Sequence, residues 1–70
     1  MRAYAKLAVN RRVVVNLADG SAVEGVLWNE RGPLVVLKDA LLHAAGAMVG
    51  QPMQGEVLIE RDRILFVQVP

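Results

Sequence analysis

The sequence predicts an all-β domain in which five short strands form a strongly bent antiparallel sheet, and three observations carry that prediction. Aliphatic and β-branched residues recur in short runs at 13–17, 22–28, 34–38, 56–60 and 64–69, each too brief for a core helix. Turn-forming residues separate the runs, with Asp19-Gly20 after the first and Gly32-Pro33 before the third. Gly25 interrupts the second run, and a glycine inside a strand marks a bend or bulge of the kind that curls a small sheet toward a barrel.

Taken in order, residues 1–10 form a separate N-terminal segment in which Tyr4, Leu7 and Ala8 share one side of a short helical turn that Asn10 can end. Val13, Val15 and Leu17 then share one face of the first strand. Positive φ is cheap at Asp19-Gly20, so the chain reverses there into the second strand, where Val23, Gly25 and Leu27 fall on one side and Glu24, Val26 and Trp28 on the other. Residues 29–33 make the next turn. The continuous run Leu34-Val35-Val36-Leu37 implies that both faces of the third strand lose water.

Residues 41–54 are a variable stretch. Asp39 is placed to cap a helical turn over 40–45, but Gly46, Gly50 and Pro52 favour a strand tail followed by a mobile loop. The fourth and fifth strands, 56–60 and 64–69, then read as a terminal hairpin around a tight Arg61-Asp62 turn, with Phe66 in the core.

Seventy residues hold one domain, 1–70, near the size at which a single core supplies only about 3–5 kcal/mol. The usual staples are missing, since zero cysteines exclude disulfides and thiolate metal sites and a lone histidine provides no metal cluster. No cofactor is expected. Hydrophobic residues make up 54% of the chain, more than so small a core can cover, so oligomerisation is the remaining means of stabilisation. With neither an eighteen-residue apolar run nor an apolar leader, the expectation is a soluble intracellular protein with no membrane partner. The net charge of +1 provides no long-range field toward polyanions, so any nucleic-acid site must be local.

Several residues together resemble a known family. Val13-x-Val15-x-Leu17-x-Asp19-Gly20, Val23-x-Gly25-x-Leu27 and Leu37-x-Asp39-Ala40 are similar to the first motif of Sm-like proteins, and Gly55-x-Val57-x-Ile59 with Asp62-Arg63-Ile64 is similar to the second. The resemblance covers residues 11–69. It implies an SH3-like, Sm-like barrel of five strands under a short N-terminal helix. It also implies a homo-oligomeric ring of six or seven copies, in which the fourth strand of one copy pairs with the fifth of the next. Such closure would complete strand edges that otherwise stay open. On this reading the interface residues are Val57, Leu58, Ile59, Leu65, Val67 and Val69.

The family holds single-stranded, usually uridine-rich RNA with an Asp and an Asn in the loop after the second strand and an Arg-Gly pair between the last two strands. This chain departs at both places. Its first loop, Asn29-Glu30-Arg31-Gly32-Pro33, is about one residue short and has no Asp-x-x-x-Asn, and its second reads Glu60-Arg61, placing a carboxylate near the base site. What remains for RNA is Asn29, Arg31, Arg61 and Arg63, against the plainer expectation that Glu60 and Asp62 offset the two arginines in a solvated turn.

Other candidates reduce to structural roles. Arg2, Lys6, Arg11 and Arg12 make the N-terminus the most basic segment, which keeps an apolar assembly soluble or offers phosphate a rim. Trp28 and Tyr4 could stack bases, but Trp28 is better suited to structure or an interface, because its loop lacks the other base-contacting groups. His43 is expected to be an exposed loop residue, Ser21 a turn former, and Met48 and Met53 loop side chains. No nucleophile stands beside a base, and no glycine-rich phosphate loop is present, so catalysis is not expected. The sequence therefore reads as a ring-forming scaffold or adaptor, in the cytoplasm or in a larger assembly such as a phage particle, with single-stranded RNA binding as the alternative.

Overall fold

The computed structural model describes residues 3–70, with side chains described from Lys6 onward. The expectations for Arg2 and for the Tyr4 ring lie outside the described residues. Helix α1 (Ala3–Ala8) is followed by β1 (Arg12–Leu17), β2 (Ala22–Arg31), β3 (Leu34–His43), β4 (Gln51–Pro52), β5 (Val57–Glu60), a 3-10 turn over Arg61–Arg63, and β6 (Ile64–Gln68). The expected short helix is present. Asn10 ends it in the left-handed region at φ 64°, which lets its N–H donate to Leu27 O at 2.7 Å and ties the helix to β2.

All strands belong to one antiparallel sheet of order β4-β3-β2-β1-β6, with β5 attached to β3. One edge of β3 is shared, because its first half pairs with β5 from Leu34↔Glu60 to Leu37↔Val57 and its last residues pair with β4 at Leu41↔Pro52. The five expected strands are therefore all found. The stretch 41–54 adds the two-residue β4 after a turn.

The bend falls where Gly25 marks it. The β2–β3 register shifts between Glu24 and Val26, and a Cβ on Gly25 would lie 2.9 Å from Lys38 O and 3.2 Å from Ala40 Cα. Two backbones approach here too closely for any side chain. A second shift, between Leu27 and Asn29, makes Trp28 an extra residue in the ladder and turns its ring outward.

Alternation builds the core. Val13, Val15, Val23, Leu27, Val35, Leu37 and Ile59 pack inside with Ala8 and Ala40, and Leu27 and Leu37 are essentially sealed from water. Val36 is buried on the opposite face of β3, so that strand loses water on both sides as expected.

Four sequence expectations need correction. The last two strands are not a hairpin: β5 pairs with β3 and β6 with β1, because a 3-10 turn carries the chain from one sheet edge to the other. Backbone bonds fix both ends of that turn, Arg61 N–H to Pro33 O at 2.7 Å and Ala18 N–H to Arg63 O at 2.9 Å. The turn expected over 29–33 narrows to Gly32-Pro33, since β2 extends to Arg31 and β3 begins at Leu34. His43 is not in a loop but ends β3, with Nε2 3.1 Å from Glu24 Oε1. Phe66 is outside the core, because pairing of Val67 with Val15 directs Val67 inward and the neighbouring Phe66 outward.

Candidate oligomer interface and loop site

β5 and β6 terminate the sheet on opposite sides. Among the described residues each bonds to a single neighbouring strand, so each presents one edge with no strand against it. Of the six side chains expected at an interface, Ile59 lies in the core and Val57 and Val67 pack against it. Leu58, Leu65 and Val69 are exposed, Leu58 at 58% and Leu65 at 65%. Strand alternation explains the division in β5, whereas in β6 a register shift makes Leu65 an extra residue in the ladder, and along both strands the backbone stays open on its outer edge. Phe66, at 52% exposure, and Trp28, at 47%, join the exposed apolar set, although the sequence reading placed Phe66 in the core. The β1–β6 register is the signal that would have placed Phe66, and sequence alone does not provide it.

Two clefts flank β5. One, of about 560 Å³, opens between β5 and the β1–β2 turn, with Leu17, Val23, Leu42, Met53 and Val57 in its wall. The other, of about 340 Å³, lies between Trp28, Asn29, Arg31, Leu34, Val36 and Leu58. Leu58 belongs to both walls and stands on the ridge between them.

The loop residues considered for RNA divide among these places. Asn29 and Arg31 line the smaller cleft, and Arg63 lines the larger one. Asn29 Oδ1 accepts from the Glu30 N–H at 2.8 Å. Arg61 lies between the β2–β3 turn and the 3-10 turn and holds them together, its Nη2 donating to Glu30 Oε2 at 3.0 Å and to Gly32 O at 2.8 Å. The partner of Arg61 is thus Glu30, whose side chain is only 1% exposed, rather than the neighbouring carboxylates of its own turn. The register shift at Trp28 changes the phase of β2 and brings Glu30 to a buried position.

Two further carboxylates, half-buried Glu24 and exposed Asp19, are also organised. Glu24 bridges three strands, accepting from Arg12 Nε at 3.0 Å while His43 lies on its other oxygen. The Arg12 hydrogen bond, followed by that of His43, holds the Glu24 carboxyl below its ordinary value. Asp19 is held low by the Ser21 hydroxyl and then by the Ser21 N–H, which confirms Ser21 as a turn former. On the outer face, Lys38 Nζ lies 3.5 Å from the centre of the Trp28 ring and 3.8 Å from Glu56 Oε2.

Comparison of the sequence with models of known families and with characterised proteins gives no match. The fold does match solved structures. The chain superposes on the SmAP1 heptamer of P. aerophilum with a TM-score of 0.80 at 20% identity, covering 97% of this chain and 89% of that one. A Pyrococcus abyssii Sm protein in complex with a uridine heptamer gives 0.75 at 21% identity, covering 97% and 94%. A chain of the NatC complex bound to CoA gives 0.76 at 16% identity, covering 89% and 78%. At these identities the likeness is one of fold, and the fold is Sm-like: a short helix on a bent, open antiparallel sheet whose two end strands do not pair with each other.

Proposed function

We propose that this chain is the subunit of a homo-oligomeric ring that acts as a scaffold or adaptor and carries out no catalysis. One observation carries the reading: β5 and β6 leave their outer edges open within one subunit, with Leu58, Leu65, Phe66 and Val69 exposed beside them. Pairing of β5 with β6 of a second copy satisfies both edges at once. Repetition of that head-to-tail contact closes a ring when the rotation allows, and six or seven copies are expected. The likeness in fold to the P. aerophilum SmAP1 heptamer supports this assembly. All six of Val57, Leu58, Ile59, Leu65, Val67 and Val69 take part, the inward-facing ones through their backbone. Sedimentation of the purified protein at micromolar concentration tests the reading: a single species of six or seven subunits is expected, and a stable monomer ends it.

A second reading, single-stranded RNA binding, is favoured by the way Arg61 draws the β2–β3 turn and the 3-10 turn together, and by the fold likeness to the uridine-bound Pyrococcus abyssii protein. Arg61 is occupied by Glu30, so Arg31 and Arg63, both exposed, are the cations available to phosphate. Binding of a short uridine oligomer should then weaken with salt, and Arg31→Ala and Arg63→Ala should each reduce the salt slope by about one. No retention of the oligomer at low salt would exclude this reading.

A further inference from the structure

We infer that β6 of a second copy docks on the β5 edge with its Phe66 entering the Trp28 cleft. The inference rests on the ring reading above and specifies what Phe66 does at the joint. Adjacent residues of a strand point to opposite faces of its sheet. In β6, Val67 pairs with Val15 on the core side, which puts Phe66 on the outer side, and Leu65 is the extra residue at the register shift before Ile64. Both are more than half exposed in one subunit.

The β5 edge has the complementary form. Val57 and Ile59 face inward, and the inner cleft begins beside them, walled by Leu17, Val23, Leu42 and Met53. Leu58 faces outward opposite Val36, and the outer cleft begins there and runs to the Trp28 ring. A strand added to this edge continues both faces of the sheet. Its outward apolar side chain, Phe66, meets the second cleft.

The arrangement also accounts for the register shift at Trp28. Lys38 Nζ lies over one face of that ring, and Glu56 and Leu58 both line the cleft beside it. Two aromatic rings brought edge to face there would bury area that each subunit alone leaves wet.

Trp28 is the only tryptophan, so its emission reports on this cleft alone. In assembled wild-type protein Trp28 should emit at shorter wavelength and resist acrylamide quenching. Phe66→Ala should shift the emission to longer wavelength and raise quenching severalfold, while Leu65→Ala should weaken assembly and leave the emission of the remaining oligomer unchanged. The decisive arm works in trans. A trace of Phe66→Ala copies is assembled with a tenfold excess of Trp28→Phe copies, which are spectroscopically silent but supply Phe66, and the emission should return to the wild-type position. Mixed oligomers in which it does not return, or Phe66→Ala oligomers with wild-type emission, would overturn the Phe66–Trp28 contact while leaving the ring. A protein monomeric at every concentration would overturn both.

Discussion

Arg61 Nη2 lies 3.0 Å from Glu30 Oε2, and the Glu30 side chain is 1% exposed, so the turn after β2 is locked to the turn after β5 through a buried carboxylate. The same guanidinium also holds Gly32 O, and the Arg61 backbone holds Pro33 O. Three bonds therefore fix the angle at which the chain leaves β5 and crosses to β6. That crossing is what leaves β5 and β6 on separate edges, so the contact that fixes the fold also preserves the proposed ring joint.

Removing this lock should destabilise the subunit without emptying the core. Arg61→Ala is expected to cost about 2–3 kcal/mol, the range for charge-assisted hydrogen bonds lost at a buried partner. Urea unfolding of a monomeric background such as Leu65→Ala should show it as a lower midpoint, and an unchanged midpoint would contradict the structural role of Arg61. Loss of RNA retention in this variant alone would not count as evidence for a phosphate contact.

Gly25 is held by backbone proximity, unlike the glycine of the β2–β3 turn. A Cβ at 25 would meet Lys38 O at 2.9 Å, whereas at Gly32, φ 54°, nothing lies within 4 Å. Gly25→Ala should therefore cost about 1–3 kcal/mol or more by overpacking two strands. Gly32→Ala should cost only the left-handed backbone penalty of about 1–2 kcal/mol. Thermal melts of the two variants, with Gly25→Ala the lower, test this order.

Core and edge leucines should separate cleanly. Leu37 is sealed in the core, and Leu37→Ala is expected to cost about 2–5 kcal/mol of subunit stability. Leu65 is 65% exposed, and Leu65→Ala should change the stability of a single subunit by no more than about 0.5 kcal/mol while shifting the assembly equilibrium toward monomer. Equal losses of subunit stability in the two variants would contradict the assignment of Leu65 to the joint.

Acid should loosen the β1–β2–β3 bridge. The Glu24 carboxyl is held below its ordinary 4.5, chiefly by Arg12. A group with a depressed folded-state pKa contributes its stability above the unfolded value and loses it as pH falls through the folded one. The Glu24 contribution should thus be full at neutral pH and fade below about pH 4.5. Glu24→Gln should lower the urea midpoint at pH 7 and approach wild type progressively as the Glu24 carboxyl protonates in acid, and parallel curves from neutral to acid pH would contradict the prediction.

Much of this was legible in the residues. Asp19-Gly20 gives the first turn, Gly25 gives the bend, and the Val13-Val15-Leu17 alternation gives a core face, because each is a local rule of backbone geometry. What stayed hidden depends on pairing between distant residues. The Gly55–Val69 stretch has the pattern of a hairpin, yet the 3-10 turn and its bonds to Pro33 and Ala18 send its two halves to different strands. Phe66 and His43 were misplaced for the same reason, since their faces follow from registers with β1 and β2. Arg61 and Arg63 looked equivalent in sequence, and only the burial of Glu30 separates a structural arginine from an exposed one.

The most direct test of the account is native mass spectrometry of the purified chain at micromolar concentration, with and without nuclease treatment. The account predicts a discrete species of six or seven subunits of 7.6 kDa that survives nuclease. A 7.6 kDa monomer under the same conditions, with the β5 and β6 edges left to water, would contradict it.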